Sequence, residues 1–208
     1  RRDGWGLETI ATYLLELMPP RAIVLGWSLG GLLALQLAAQ APARVAALVL
    51  VSTTPRFSSA TDWPYGTDSL VLERFAAQLV KDWRCAVRDF FSLQVRGGRD
   101  ADATLAALQT TLITHGECSG DTLRRAVTLL HRSDVRALLP RISQPALVIA
   151  GQYDRVVRSV ASLELASRLL HGEFLEIPRC GHAPFISHEA MVATACNTFF
   201  ATLDGEAA

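Results

Sequence analysis

The stretch AIVLGWSLGGLLALQLA, Ala22 to Ala38, decides the fold. Four apolar residues run into Gly26-Trp27-Ser28-Leu29-Gly30-Gly31, and a helical pattern follows at once. The reading is a buried strand, a tight turn and a helix. Such a turn can simply pack tightly. It can also be a nucleophile elbow, with Ser28 on a strained bend and its hydroxyl projecting above a sheet. In the second reading Gly26 and Gly30 are required, because a side chain at either would collide across the turn. Gly31 lets the helix lie close to the sheet. The Leu29 N–H, at the start of the helix, faces a developing oxyanion with the helix dipole behind it. A phosphate-binding loop is the rival, but neither Gly-Lys-Ser/Thr nor GxGxxG follows the strand.

Outward from this stretch, Leu7 to Leu17 reads as an amphipathic helix stopped by Pro19 and Pro20. Val45 to Ser52 (VAALVLVS) is a second apolar strand, β-branched enough to prefer sheet. The alternation of strand, helix and strand predicts a parallel sheet with crossover helices. From Phe57 to Leu139 only helical periodicity is legible, broken by Gly97-Gly98, Gly116 and Gly120. Sheet character resumes at Pro145 to Gly151 and at Glu173 to Ile177, and a helix from Glu189 to Leu203 closes the chain. The expected organisation is a core formed by residues 1–56 and 140–208, with residues 57–139 inserted as a helical cap.

Bulk properties exclude several classes. The chain has 208 residues, half of them apolar, enough to bury one core and a small cap. Twenty basic residues balance twenty acidic ones, so nothing electrostatic calls for nucleic acid or a membrane surface. Charges break every apolar run well short of the about 20 residues a membrane span needs. Cys85, Cys118, Cys180 and Cys196 show no CxxC or zinc spacing, so they read as reduced thiols of a cytoplasmic protein with no metal and no cofactor.

The serine has company in a telling order. Gly151-Gln-Tyr-Asp154 follows one apolar strand directly, and Cys180-Gly-His182-Ala-Pro-Phe follows the next. Ser28, Asp154, His182 is the chain order of an α/β-hydrolase triad, each member on a loop after a strand. In that reading His182 moves the proton of Ser28, and Asp154 holds the imidazole in the right tautomer. His188, inside Ser187-His-Glu, reads as a loop or helix-start residue. Asp134 reads as the cap or first-turn acid of a short helix.

Gly26-Trp-Ser-Leu-Gly-Gly31 together with His182-Ala-Pro-Phe-Ile-Ser-His188 resembles the pimeloyl-acyl-carrier-protein methyl ester esterases of bacterial biotin synthesis. Phe57 to Trp63 (FSSATDW) and Leu93-Gln94 are similar too. The resemblance implies an α/β-hydrolase fold and a serine carboxylesterase acting on a pimeloyl methyl ester carried by acyl-carrier protein. It implies Ser28 as nucleophile, Asp154 as acid and His182 as base. Trp27 would line the ester pocket, and Leu29 N–H would be half of the oxyanion hole. Arg84 and Arg88, spaced i,i+4 on one helix face, would meet phosphates of the carrier and its prosthetic arm, with Arg96, Arg99, Arg124 and Arg125 as further candidates. Phe90 completes the candidate substrate contacts. The family begins with several more strands and a His-Gly-Trp-Gly oxyanion loop. Asp3-Gly-Trp-Gly6 leads straight into a helix and reads as the loop before it. The expectation is therefore a chain lacking its first strands, monomeric when full length. A general short-chain carboxylesterase, a C–C bond hydrolase and an inactive truncated remnant are the alternatives, because fold does not fix substrate.

Overall fold

The computed structural model describes residues 5–82 and 119–205, with Cys85, Ala86, Arg88, Asp89, Ser92, Ala103, Leu105, Ala106 and Thr110 between them. Four strands, β1 (Ala22–Trp27), β2 (Val45–Val51), β3 (Ala146–Gly151) and β4 (Gly172–Ile177), form a parallel sheet in that order. Trp27 stands opposite Val51, Val51 opposite Ile149, and Gly151 opposite Ile177. The carboxyl ends of all four strands therefore lie level. Loops leaving those ends share one edge of the sheet, where parallel α/β sheets place their ligands.

Helices cover both faces, which is why β2 and β3 are apolar at nearly every position and not alternately. Leu48, Leu50 and Val148 point to one face, with Leu32, Leu35 and Leu165. Ala47, Val49, Val51 and Ile149 point to the other, with Val192 and Phe199. The first face is covered by α1 (Leu7–Leu17), α2 (Leu29–Gln40) and α5 (Ser159–Arg168), and the second by α7 (Glu189–Gly205). Because α2 is sandwiched between the sheet and α1, it is apolar almost all round. The outer edge of β1 has no strand partner among the described residues, and Ile23 and Leu25 are exposed there.

Between β2 and β3 run α3 (Ser69–Lys81) and α4 (Gly120–Arg132), packed on each other and capped by Asp68 and Ser119. No strand occurs among the described residues of this excursion. Isolated bridges pair Arg56 with Asp134 and Ser58 with Thr67. The excursion leaves and returns at one point. Val135 N–H donates to Pro55 O (2.9 Å), and Ser58 Oγ donates to His131 O (2.7 Å). Asp134 accepts from Arg56 (3.1 Å) and Arg136 (2.7 Å), and Arg136 also reaches Asp62 (2.9 Å). Asp134 also accepts the Arg136 N–H, but it precedes Val135, the N-cap of the 3-10 turn Arg136–Arg141, so it is neither the cap nor a first-turn acid of that turn. Trp63 is buried beneath this network, with the Arg136 and Arg168 guanidinium groups over its ring at 5.5 and 5.1 Å.

The Arg136 hydrogen bond holds the Asp134 carboxyl below its ordinary range. A carboxylate lowered by folding stabilises the native state above its unfolded pKa and ceases to do so as pH falls through the folded value. Asp134→Asn should therefore lower stability at neutral pH by roughly 1 kcal/mol, a figure already discounted for its partly exposed side chain. Below about pH 3.9 the parent should lose the same increment, so the two melting curves converge. Thermal melts at pH 7 and across the acid range check this. A gap that persists undiminished at the lowest pH would mean that the charge on Asp134 contributes nothing.

Candidate active site

The elbow begins where β1 ends. Ser28 N–H continues the ladder by donating to Val51 O (3.0 Å), and the chain then bends through φ 54°, ψ −119° at Ser28 itself. A non-glycine residue there is strained and must be held by its surroundings. Ser52 (φ 47°) and Arg179 (φ 52°) are the other positive-φ non-glycine residues described. All three lie in loops at the carboxyl ends of strands, so backbone strain is concentrated at the edge where the candidate site stands. Helix α2 starts at Leu29; its Gly31 N–H turns back to Ser28 O (2.9 Å), and the N–H groups of Leu29 and Gly30 ahead of it carry the positive end of the helix dipole.

The two turn glycines are not equivalent. A Cβ on Gly26 would lie 2.6 Å from Gly30 O, so the expected collision is real at that position. A Cβ on Gly30 would meet nothing within 4 Å. The requirement expected for Gly30 is thus incorrect: the turn closes over Gly26, and position 30 faces open space.

The acid and base loops are laced together before any side chain is considered. Gln152 N–H donates to Ile177 O (3.0 Å) and Tyr153 N–H to Cys180 O (2.8 Å), while Gln152 Oε1 accepts the Arg179 N–H (3.0 Å). Gly151 allows this approach, since a Cβ there would lie 2.1 Å from Gly181 O. Asp154 is thereby set beside His182. Its Oδ1 accepts the N–H groups of Val156 (2.8 Å) and Val157 (2.9 Å), and its Oδ2 bonds His182 Nδ1 (2.8 Å). Both side chains are buried. A carboxylate can only accept, so the neutral imidazole carries its proton on Nδ1 and presents Nε2 as a base.

Trp27 ties the elbow to the histidine loop. Its Nε1–H donates to His182 O (2.8 Å), and its ring lies 5.4 Å from the imidazole and 5.2 Å, edge-on, from Phe185. Ala183, Phe185, Ile186 and Leu105 complete an apolar cluster around Trp27. Sequence reasoning assigned no role to Leu105, which comes from the excursion between β2 and β3. The apolar run Ala183-Pro-Phe-Ile186 was the available signal for the rest. Cys180 offers no rival nucleophile, because burial pushes its thiol up to about 11 and keeps it protonated at neutral pH.

Arg88 is exposed, 3.7 Å from the Asp89 carboxylate. Arg84, Phe90, Arg96 and Arg99 lie outside the described residues. Arg124 and Arg125 both bond Asp121, and the Arg125 guanidinium stands over the Trp5 ring at 5.7 Å. Gly6 leads directly into α1, as expected of the loop before that helix. His188 lies between a short helix, α6 (Pro184–Ser187), and α7, as expected of a helix-start residue.

Residues 5–189 match the family model described as alpha/beta hydrolase fold. The chain is similar to the pimeloyl-acyl-carrier-protein methyl ester esterase of Xanthomonas axonopodis pv. citri, 38% identical over 88% of this chain and 72% of that one. Its counterpart in Nitrosomonas europaea is 37% identical over 87% and 72%. Among solved structures, an esterase from Exiguobacterium antarcticum superposes with a TM-score of 0.84 over 95% of this chain and 74% of that one, at 17% identity. A bromoperoxidase from Bacillus anthracis gives the same TM-score over 96% and 76%, at 19% identity. At that identity the two structures speak for the fold alone. By sequence, the chain belongs to the alpha/beta hydrolase fold family and, within it, to the pimeloyl-acyl-carrier-protein methyl ester esterases.

Proposed function

We propose that the protein is a serine carboxylesterase that hydrolyses the methyl ester of pimeloyl-acyl-carrier protein in biotin synthesis, releasing methanol and freeing the pimeloyl carboxylate. The observation that carries the reading is the buried Asp154–His182 bond, locked by Trp27 to the turn bearing Ser28. In this mechanism His182 Nε2 takes the proton as Ser28 Oγ attacks the ester carbonyl. The oxygen that becomes negative is met by the Leu29 N–H, at the positive end of α2. Collapse expels methanol, protonated by His182, and leaves an acyl group on Ser28. Water, deprotonated by His182, then releases the carboxylate. Asp154 stays ionised throughout and stabilises the imidazolium.

Residues 57–139 act as a cap over the acyl chain, and Trp27, Phe185 and Leu105 form one apolar wall for it. The partner is an acyl-carrier protein whose phosphates meet Arg84 and Arg88, with Phe90 as a further substrate contact. Arg88 is exposed, as a carrier contact requires. The described cysteines are free thiols, in keeping with a cytoplasmic site of action. No described helix is long and apolar enough to cross a membrane.

The test compares two substrates. With Arg84 and Arg88 both changed to Glu, KM for the carrier-bound methyl ester should rise on the order of tenfold or more, while hydrolysis of a small p-nitrophenyl ester stays near that of the parent. Unchanged KM on the carrier-bound ester would instead favour a general short-chain carboxylesterase. Equal loss on both substrates would remove these arginines from carrier recognition.

A further inference from the structure

Thr53 is fully buried and stands just beyond β2, beside the elbow. Its Oγ1–H donates to Ser28 O at 2.8 Å. Its own carbonyl accepts from Ser162 Oγ at 2.8 Å, and Ser162 is fully buried on α5, the helix that follows the Asp154 loop. Gly31 makes room for the contact, since a Cβ there would lie 2.3 Å from Thr53 Oγ1. A buried chain of two hydroxyl-to-carbonyl bonds thus runs from the acid side of the site to the turn that carries the serine.

What this chain grips is one peptide unit. Ser28 C=O and Leu29 N–H belong to the same planar trans peptide and point in opposite directions. Gly31 N–H (2.9 Å) and Thr53 Oγ1 (2.8 Å) hold the carbonyl from below. The N–H at the opposite edge of that peptide is consequently aimed away from Thr53. We infer that Thr53 is a positioning residue for the reaction: its hydroxyl fixes the tilt of the Ser28–Leu29 peptide and so aims the N–H that meets the oxyanion. The inference rests on the reading of Ser28 as nucleophile. It adds that a side chain from another strand end, touching no substrate, tunes transition-state charge stabilisation through the backbone. A donor aimed at developing charge acts on the transition state more than on bound ester, so its misalignment appears in kcat.

The test pairs Thr53→Val, which keeps the shape and deletes the hydroxyl, with Thr53→Ser, which keeps the hydroxyl. Rates are normalised to the fraction of sites titrated by a fluorophosphonate, and each protein is also inhibited with a trifluoromethyl ketone, which forms a tetrahedral oxyanion on the serine. Thr53→Val should lower kcat about tenfold, weaken the ketone by a similar factor and leave KM within about twofold, the size of one lost hydrogen bond. Thr53→Ser should stay within about twofold of the parent on every measure. The inference is overturned if Thr53→Val matches the parent after normalisation, if Thr53→Ser is equally impaired, or if KM and kcat change together with ketone affinity untouched. Failure of the parent itself to react with the fluorophosphonate would instead overturn the assignment of Ser28.

Discussion

Ser28→Ala should abolish ester hydrolysis and leave the fold standing. The expected fall in kcat is on the order of 10⁶, the size of the loss when a triad serine is removed, because nothing else in the site can form the acyl intermediate. Cys180, the nearest alternative in chemistry, is a protonated, buried thiol. The fold should survive because Ser28 contributes structurally through its backbone. Its N–H bonds Val51 O, its carbonyl is held by Gly31 and Thr53, and its side chain makes no capping bond to α2. Alanine at φ 54° is strained much as serine is, so the melting temperature should move little. Initial rates, thermal melts and fluorophosphonate labelling check the three parts. Labelling that persists in the alanine variant would place the nucleophile on another serine.

The sheet was legible because its strands are covered on both faces. VAALVLVS and PALVIAG are nearly uninterrupted apolar runs, and the observed β2 and β3 begin and end within a residue of them. Helix α5 was not legible. SVASLELASR starts without a side-chain cap, and the face it buries, Ala161, Ser162, Leu165 and Ala166, holds one large apolar residue and a serine, too little to stand out as an apolar stripe. Ser162 is there to bond Thr53 O, a purpose invisible without the third dimension.

The site divides in the same way. Asp154 and His182 could be named because each follows a strand, and parallel strands deliver their carboxyl ends to one edge. What supports them is held by main-chain carbonyls far away in sequence, as in Trp27 Nε1 to His182 O or Thr53 Oγ1 to Ser28 O. Such bonds depend on the partner's backbone and leave no trace in its residue type. The error at Gly30 has a related cause: the G-x-S-x-G pattern gives both glycines equal weight, whereas only Gly26 packs against backbone.

Asp154→Asn should be nearly as damaging as loss of the serine, by a different route, and the structure says why the variant will still fold. Asparagine can turn its carbonyl oxygen to the Val156 and Val157 N–H groups that now bond Oδ1, at 2.8 and 2.9 Å. That choice points its NH₂ at His182 Nδ1, where the carboxylate Oδ2 now sits at 2.8 Å. An amide NH₂ can only donate, so Nδ1 must become the acceptor and the imidazole proton moves to Nε2. The base then presents a hydrogen to Ser28 where a lone pair is needed, and kcat should fall on the order of 10⁴ with KM little changed. Asp154→Ala is the poorer experiment, since it strands the part-buried Val156 and buried Val157 N–H groups and costs stability as well as rate. The two active-site variants are told apart by chemistry. Asp154→Asn retains Ser28 and should still label with a fluorophosphonate, slowly, whereas Ser28→Ala should not label at all. If Asp154→Asn keeps kcat within about tenfold of the parent, His182 is oriented by some other group and the acid of the triad has been misassigned.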